Sequence, residues 1–220
     1  YEEAAGQGIL AGINAAKAAG EQLVLDRSQA FIGVMIDDLV TKGVDEPYRM
    51  LPSRAEYRIV LRENNADLRL TELGHEIGLI GEDRYKEFVQ KRDQIETEIG
   101  RLKDINVTPS DSINQMLQDK GTDPLQNQGA SLYQLLKRPE VGWEDVAEIY
   151  SPEVDYSPEV IEEVEIRIKY EGYINKQEEQ IRQFKEMEEK KIPENIDYDK
   201  LEGLSTEGEE KLKEVSPSTL

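Results

Sequence analysis

Apolar residues recur at three- and four-residue intervals through most of this chain, with charges between them, the pattern of helices that bury one stripe and solvate the rest. The signal is clearest from Glu82 to about Ile105, where Tyr85, Phe88, Val89, Ile95, Ile99 and Leu102 follow helical spacing. Residues 2–19 predict an Ala-rich helix with Glu2 and Glu3 in its first turn, and Gly20 suits a left-handed residue just beyond its end. Gly6, Gly8 and Gly12 lower its propensity and fit close packing against another backbone. Leu68 to Leu79 reads as helix, punctuated by Gly78 and Gly81. A loop-rich middle holds short helices at Ile113–Asp119 and Leu132–Lys137, with Trp143 expected to anchor their packing. Ser157-Pro158-Glu159 combines a cap, a first-position proline and an early acid, opening a long helix to about Lys191. After Pro193 and Gly203-Leu204-Ser205, an acidic helix runs to about Val215, and residues 216–220 are expected to lack a packed partner.

Two segments depart from that rhythm. Phe31-Ile32-Gly33-Val34-Met35-Ile36 is a short β-branched run, which predicts a buried strand whose sheet partners lie elsewhere. Ser53-Arg54-Ala55-Glu56 fits a capping box and predicts a helix start. Arg54, Arg58 and Arg62 would then line one helical face, with Tyr57, Val60 and Leu61 turned inward. The fold class is mainly α and multi-helical, with one short strand-bearing segment near the N-terminus.

Charge changes this picture more than composition does. Charged residues make up 34% of the chain and aromatics 6%, which favours solvated helices over a thick sheet core. The net charge of −20 argues against nucleic acid, because phosphate affinity comes from Lys and Arg. Residues 1–75 soften the objection, carrying 8 basic against 12 acidic groups, so that most of the excess acid lies downstream. The absence of cysteine excludes disulfides and thiolate chemistry, and a lone His75 supplies no metal cluster; no metal site is expected. No run suits a membrane span or a secretion leader, so a soluble cytoplasmic protein is expected. A chain opening on Tyr1-Glu2-Glu3-Ala4-Ala5 is expected to continue a preceding helix, and more chain is expected after Leu220.

No nucleotide fingerprint, phosphate loop or nucleophile elbow is present, and paired carboxylates are too common here to inform. The arginines carry the chemistry: Arg49, Arg54, Arg58, Arg62 and Arg69 offer bidentate donors to phosphate. Glu46, Glu56, Glu63, Asp67 and Glu72 lie within reach of them, and ion pairing is the commoner outcome of such mixing.

Specific strings tip that balance. They are Tyr1-Glu2-Glu3-Ala4-Ala5 with Gln7-Gly8; Gly33 through Asp38 followed by Leu39-Val40-Thr41-Lys42-Gly43; and Glu46-Pro47-Tyr48-Arg49-Met50. To these are added Ser53-Arg54-Ala55-Glu56-Tyr57-Arg58, Asn65-Ala66-Asp67-Leu68-Arg69-Leu70-Thr71, Lys169-Tyr170-Glu171-Gly172-Tyr173-Ile174 and Lys191-Ile192-Pro193. Together they resemble the C-terminal region of the MnmG (GidA) family, with Leu51-Pro52 as a departure.

The resemblance implies a large, homodimeric enzyme that binds FAD, uses NADH and works with the GTPase MnmE. It would add a carboxymethylaminomethyl-type group at carbon five of the wobble uridine of tRNA. This chain would supply the tRNA-binding and partner-binding portion, itself without catalytic residues and, isolated, without a cofactor. Tyr1, Glu2 and Glu3 would lie near FAD; Arg49, Arg58, Arg54, Arg62, Arg69 and Lys42 would meet tRNA. Tyr48 or Tyr57 would stack on a base or pack the core, and Lys169, Tyr170 and Tyr173 would contact RNA or partner or pack the long helix. The implied division is 1–20 as the last helix of a flavin domain, 21–75 as a connecting segment, 76–200 as a helical domain and 201–220 as the start of a C-terminal subdomain. A freestanding acidic scaffold that binds only protein remains the alternative.

Overall fold

The chain starts as helix because Glu2 and Glu3 meet the unpaired N–H end of an Ala-rich run. This helix, α1, spans Glu2–Ala16 in the computed structural model, which describes residues 1–17, 20, 22–126, 128–193, 196–201 and 203–219. It ends earlier than residues 2–19 suggested, and Ala18 and Ala19 lie outside the described residues. Gly20 is not left-handed. Its amide instead bonds the Lys17 carbonyl at 2.7 Å.

The expected strand is a helix: α2 spans Phe31–Thr41. A six-residue apolar run carries no period of its own, and the residues after it decide the matter. Val34, Met35 and Asp38 are buried together, the i, i+1, i+4 set of one helical face, whereas a strand would turn Met35 to the opposite face from Val34 and Asp38. Gly33 makes the packing possible, since a Cβ there would sit 2.1 Å from the carbonyl oxygen of Asp26.

The expected capping box at Ser53 does not form either. Pro52–Arg54 makes one 3-10 turn, Ala55 is extended, and residues 55–65 run without α-helix, so no arginine stripe exists. Glu56, the would-be capping partner, accepts instead from Arg27, whose Nη2 lies 2.6 Å from Oε1. A tertiary ion pair has displaced the local bond.

Helix α3, Ala66–Glu76, turns through Gly78, whose φ of +79° only glycine adopts cheaply, into α4, Glu82–Asp104. His75 stacks on Tyr85 at 3.9 Å and its Nε2 lies 3.0 Å from Glu82, so it fastens this corner rather than standing in solvent. Strand β1, Asn106–Val107, is followed by α5, Asp111–Asp119. It pairs antiparallel with β2, Ala130–Ser131, in a register of Asn106 opposite Ser131. Helix α6, Leu132–Leu136, carries a genuine capping box: the Gln134 amide donates to Ser131 Oγ at 3.2 Å and the Ser131 amide to Gln134 Oε1 at 3.0 Å. Helix α7, Trp143–Ile149, and α8, Pro158–Lys169, complete the packing.

These elements enclose one apolar core that includes Ile95 and Leu102 of α4, Leu132, Leu135 and Leu136 of α6, and Val164 and Ile168 of α8. Trp143 anchors it as expected, its indole Nε1 donating to the fully buried Glu98 at 3.0 Å. Arg101 closes that carboxylate with two bonds of 2.7 Å.

The predicted long helix is broken. Tyr170 ends α8, and α9 spans Glu171–Glu188. The break falls where Tyr133 Oη donates to Glu171 at 2.6 Å and Lys137 pairs with the same carboxylate, and Gly172 weakens the run just beyond.

Two units divide the chain, Tyr1–Ile174 and Asn175–Leu220, with the boundary inside α9. In the second, α10 spans Thr206–Val215 as expected, and Ser205 Oγ accepts from the Gly208 amide at 3.1 Å. The tail after α10 does have a partner: the Ile192 amide donates to the Ser218 carbonyl at 2.9 Å, and Lys191 bridges Thr219. Left-handed Ser216 turns the chain back to reach them; Leu220 lies outside the described residues. Among the described residues no helix is long and apolar enough to cross a membrane.

Candidate nucleic-acid interface

Residues 42–65 contain no α-helix or strand, and polar side chains hold them in place. Their centre is Asp38 on α2, 1% exposed. Arg27 Nη1 lies 2.6 Å and Lys42 Nζ 2.7 Å from Asp38 Oδ1, Tyr48 Oη donates to Oδ2 at 2.8 Å, and Arg54 stands at 3.6 Å. Burial would raise the Asp38 pKa, but bonds from Lys42, Arg27 and Tyr48 outweigh it and hold the carboxyl below the usual range. Burial and the bond to Asp38 push the Tyr48 phenol up to about 12.

Arg27 joins this centre to its surroundings. It pairs also with Asp37 at 2.9 Å and Glu56 at 2.6 Å, and donates to the carbonyls of Val34 and Arg54. Burial opposes its charge, yet bonds to Glu56, Asp38 and Asp37 raise its pKa above the ordinary arginine value. Three cations, Arg27, Lys42 and Arg54, thus face three carboxylates, Asp37, Asp38 and Glu56. The cluster is neutral.

Arg62 and Arg69 belong to a second network. Arg69 donates to the carbonyls of Gln29 and Arg62 and to Asn65 Oδ1, and burial with Arg62 nearby lowers its pKa. Arg62 donates to the Ile59 carbonyl at 2.5 Å and reaches Glu163 of α8 at 2.6 Å. Glu163, 3% exposed, also accepts from Arg167 at 2.9 Å. These guanidinium groups do for the loop what a backbone ladder does for a helix.

Arg49 and Arg58 stand apart. Both are exposed, and among the described residues neither makes an ion pair or side-chain hydrogen bond. Their backbones are nonetheless fixed. Arg49 lies between Tyr48, bound to Asp38, and Met50, whose amide donates to Glu3 Oε1 at 2.9 Å. Arg58 lies on a turn closed by the Leu61 amide and the Tyr57 carbonyl at 2.8 Å, and flanked by Ala55 and Leu61, which pack with Val34.

The aromatic candidates divide similarly. Tyr57 packs against the Val34 cluster, and Tyr48 has its hydroxyl on Asp38 and one ring face under Arg54, 4.5 Å from the centroid. Tyr170 and Tyr173 are exposed with rings 6.5 Å apart, while Lys169 pairs with Glu165. Tyr1 and Glu2 stand in solvent, and Glu3 is taken up by Met50, a bond that lowers its pKa.

Sequence reasoning overlooked Arg27, Asp38 and Glu163. A doubled acid closing an apolar run, Asp37-Asp38, was the available signal for one of them. Nothing local marks Glu163 among so many acids.

Comparison with known proteins places this arrangement. The tRNA modifying enzyme MnmG/GidA C-terminal helical domain matches residues 82–178, and the MnmG/GidA C-terminal helical bundle matches residues 180–220. The tRNA uridine 5-carboxymethylaminomethyl modification enzyme MnmG of Caldicellulosiruptor saccharolyticus is 56% identical over all of this chain and 35% of its own length. That of Listeria monocytogenes serotype 4b is 54% identical over the same shares. Aquifex aeolicus GidA, in its form II crystal, superposes with a TM-score of 0.75 at 43% identity, covering 100% of this chain and 34% of that one. The chain spans about a third of the length of the curated relatives it matches. From the Arg-bearing loops to the last helix, it belongs to the MnmG/GidA family of tRNA uridine modification enzymes, as part of their C-terminal helical region.

Proposed function

We propose that this chain holds tRNA for an enzyme that modifies carbon five of the wobble uridine, with Arg49 and Arg58 contacting the RNA backbone. The observation that carries the reading is their freedom: in a chain of net charge −20, two exposed arginines stay without an acidic partner on fixed backbone. Residues 42–62 hold five basic groups against three acidic, so the local sign is opposite to that of the chain. Cations on fixed segments suit phosphate, because little side-chain and loop ordering remains to be done on binding. Lys42 and Arg54, partly exposed, border the same surface. Arg62 and Arg69 support it from beneath.

The wider reading follows the family resemblance. The chain works within a longer, homodimeric, cytoplasmic flavoenzyme that uses FAD and NADH and acts with the GTPase MnmE, and this portion lacks catalytic groups. Tyr1–Glu3 would stand near the flavin, whose role is redox chemistry. Glu3 there accepts from the Met50 amide at 2.9 Å, which leaves Tyr1 and Glu2 as the exposed groups of this end.

Salt-dependent tRNA binding tests the proposal. Arg49→Ala and Arg58→Ala are each expected to weaken binding and to reduce the slope of log affinity against log salt by about one, the signature of a lost phosphate contact. Unchanged slopes in both would overturn it.

A further inference from the structure

The loop that carries Arg49 lacks apolar anchorage. Residues 42–47 are all exposed, Val44 and Leu51 are each 46% exposed, and Gly43 turns with a φ of +65°. Its course is instead fixed by a few polar bonds. Lys42 at its start and Tyr48 beside Arg49 both end on the Asp38 carboxylate, and Arg54 beyond reaches the same group. Past Arg49, the Met50 amide is held by Glu3. Arg49 therefore sits between two attachments, one of which is Asp38.

We propose that Asp38 is a positioning residue for RNA: acting through Lys42, Tyr48 and Arg54, it fixes the place of Arg49 for tRNA phosphate without touching RNA itself. This deepens the function proposed above and rests on Arg49 contacting tRNA. The charge balance gives the idea a distinctive sign. Removing a carboxylate beside three cations would, by electrostatics alone, tighten binding to a polyanion. Loss of positioning weakens it, because Arg49 must then be ordered during binding.

The test titrates tRNA against the protein at the full length of its relatives, over a range of salt, in five forms. These are the unmutated enzyme, Arg49→Ala, Asp38→Asn, the double variant, and Tyr48→Phe, with thermal melting of each as a control for folding. Asp38→Asn is expected to weaken binding about tenfold and to lower the salt slope by about one, as Arg49→Ala does. The double variant should bind much more tightly than the product of the two single losses predicts, because both remove the same contact. A general loss of folded protein would lower the active fraction without changing the slope. Tyr48→Phe, which removes one hydroxyl and keeps the ring, should weaken binding by a smaller factor and lower the salt slope in the same direction. Tighter or unchanged binding by Asp38→Asn, or losses that simply multiply, would overturn the proposal. If Asp38→Asn does not fold, Tyr48→Phe decides alone, unchanged binding counting against it. Binding unaffected by Arg49→Ala itself would defeat the underlying reading, and is seen in that variant alone.

Discussion

Residues 26–65 and residues 82–169 belong to the same unit and are held by opposite means. Among the described residues, the second region closes on one cluster of thirteen buried apolar side chains; the first clusters three, Val34, Ala55 and Leu61, with Ala30 and Met35 also buried. Apolar burial is strong and non-directional, so it yields helices that read plainly from their spacing. Bonds from guanidinium groups to carbonyls and carboxylates are directional and individually modest, so they yield a shape that no periodicity announces. The region built by arginines also leaves Arg49 and Arg58 exposed and, among the described residues, without an acidic partner, the feature on which the proposed binding surface rests.

Three measurements press on this contrast, beginning with the largest effect. Ile95 is fully buried, and Ile95→Ala should destabilise the unit by about 3 kcal/mol in urea unfolding. A loss under about 1 kcal/mol would mean that burial is not what holds the helices. Glu163→Gln keeps the shape but leaves Arg62 and Arg167 facing a neutral group, and should cost about 2 kcal/mol in the same assay. No change would show the link between the regions to be incidental. The smallest effect concerns acid. The Asp38 pKa is lower folded than unfolded, so its contribution is complete above about pH 4 and is lost as pH falls toward the folded value. Unfolding midpoints of the unmutated and Asp38→Asn proteins should therefore converge below about pH 4, and parallel curves would exclude that charge as the cause.

The same contrast explains what the sequence disclosed. Helix α4 and α10 were legible because their apolar spacing, acidic first turns and flanking breakers agree. Phe31–Ile36 misled because a short apolar run fits strand and helix equally, and the joint burial of Val34, Met35 and Asp38 settles it only in three dimensions. Ser53 and Glu56 had the right letters for a cap, but Arg27, 29 residues upstream of Glu56, took the carboxylate. Arg49 and Arg58 could be named as candidates from residue type. What separates them from Arg62 and Arg69 is the presence of partners distant in sequence, such as Glu163.

Gly33 shows how narrow the tolerances of such a surface are. Its α-carbon lies so near the Asp26 carbonyl that even a methyl group has no room. Asp26 in turn accepts from the Ser28 amide at 2.7 Å, bracing the bend from which Arg27 departs. A single added carbon at this point of α2 would thus misalign the guanidinium that balances Asp37, Asp38 and Glu56. Under the proposed tRNA-holding role, mutational drift at this buried glycine would surface as weakened tRNA binding at a distance from the change.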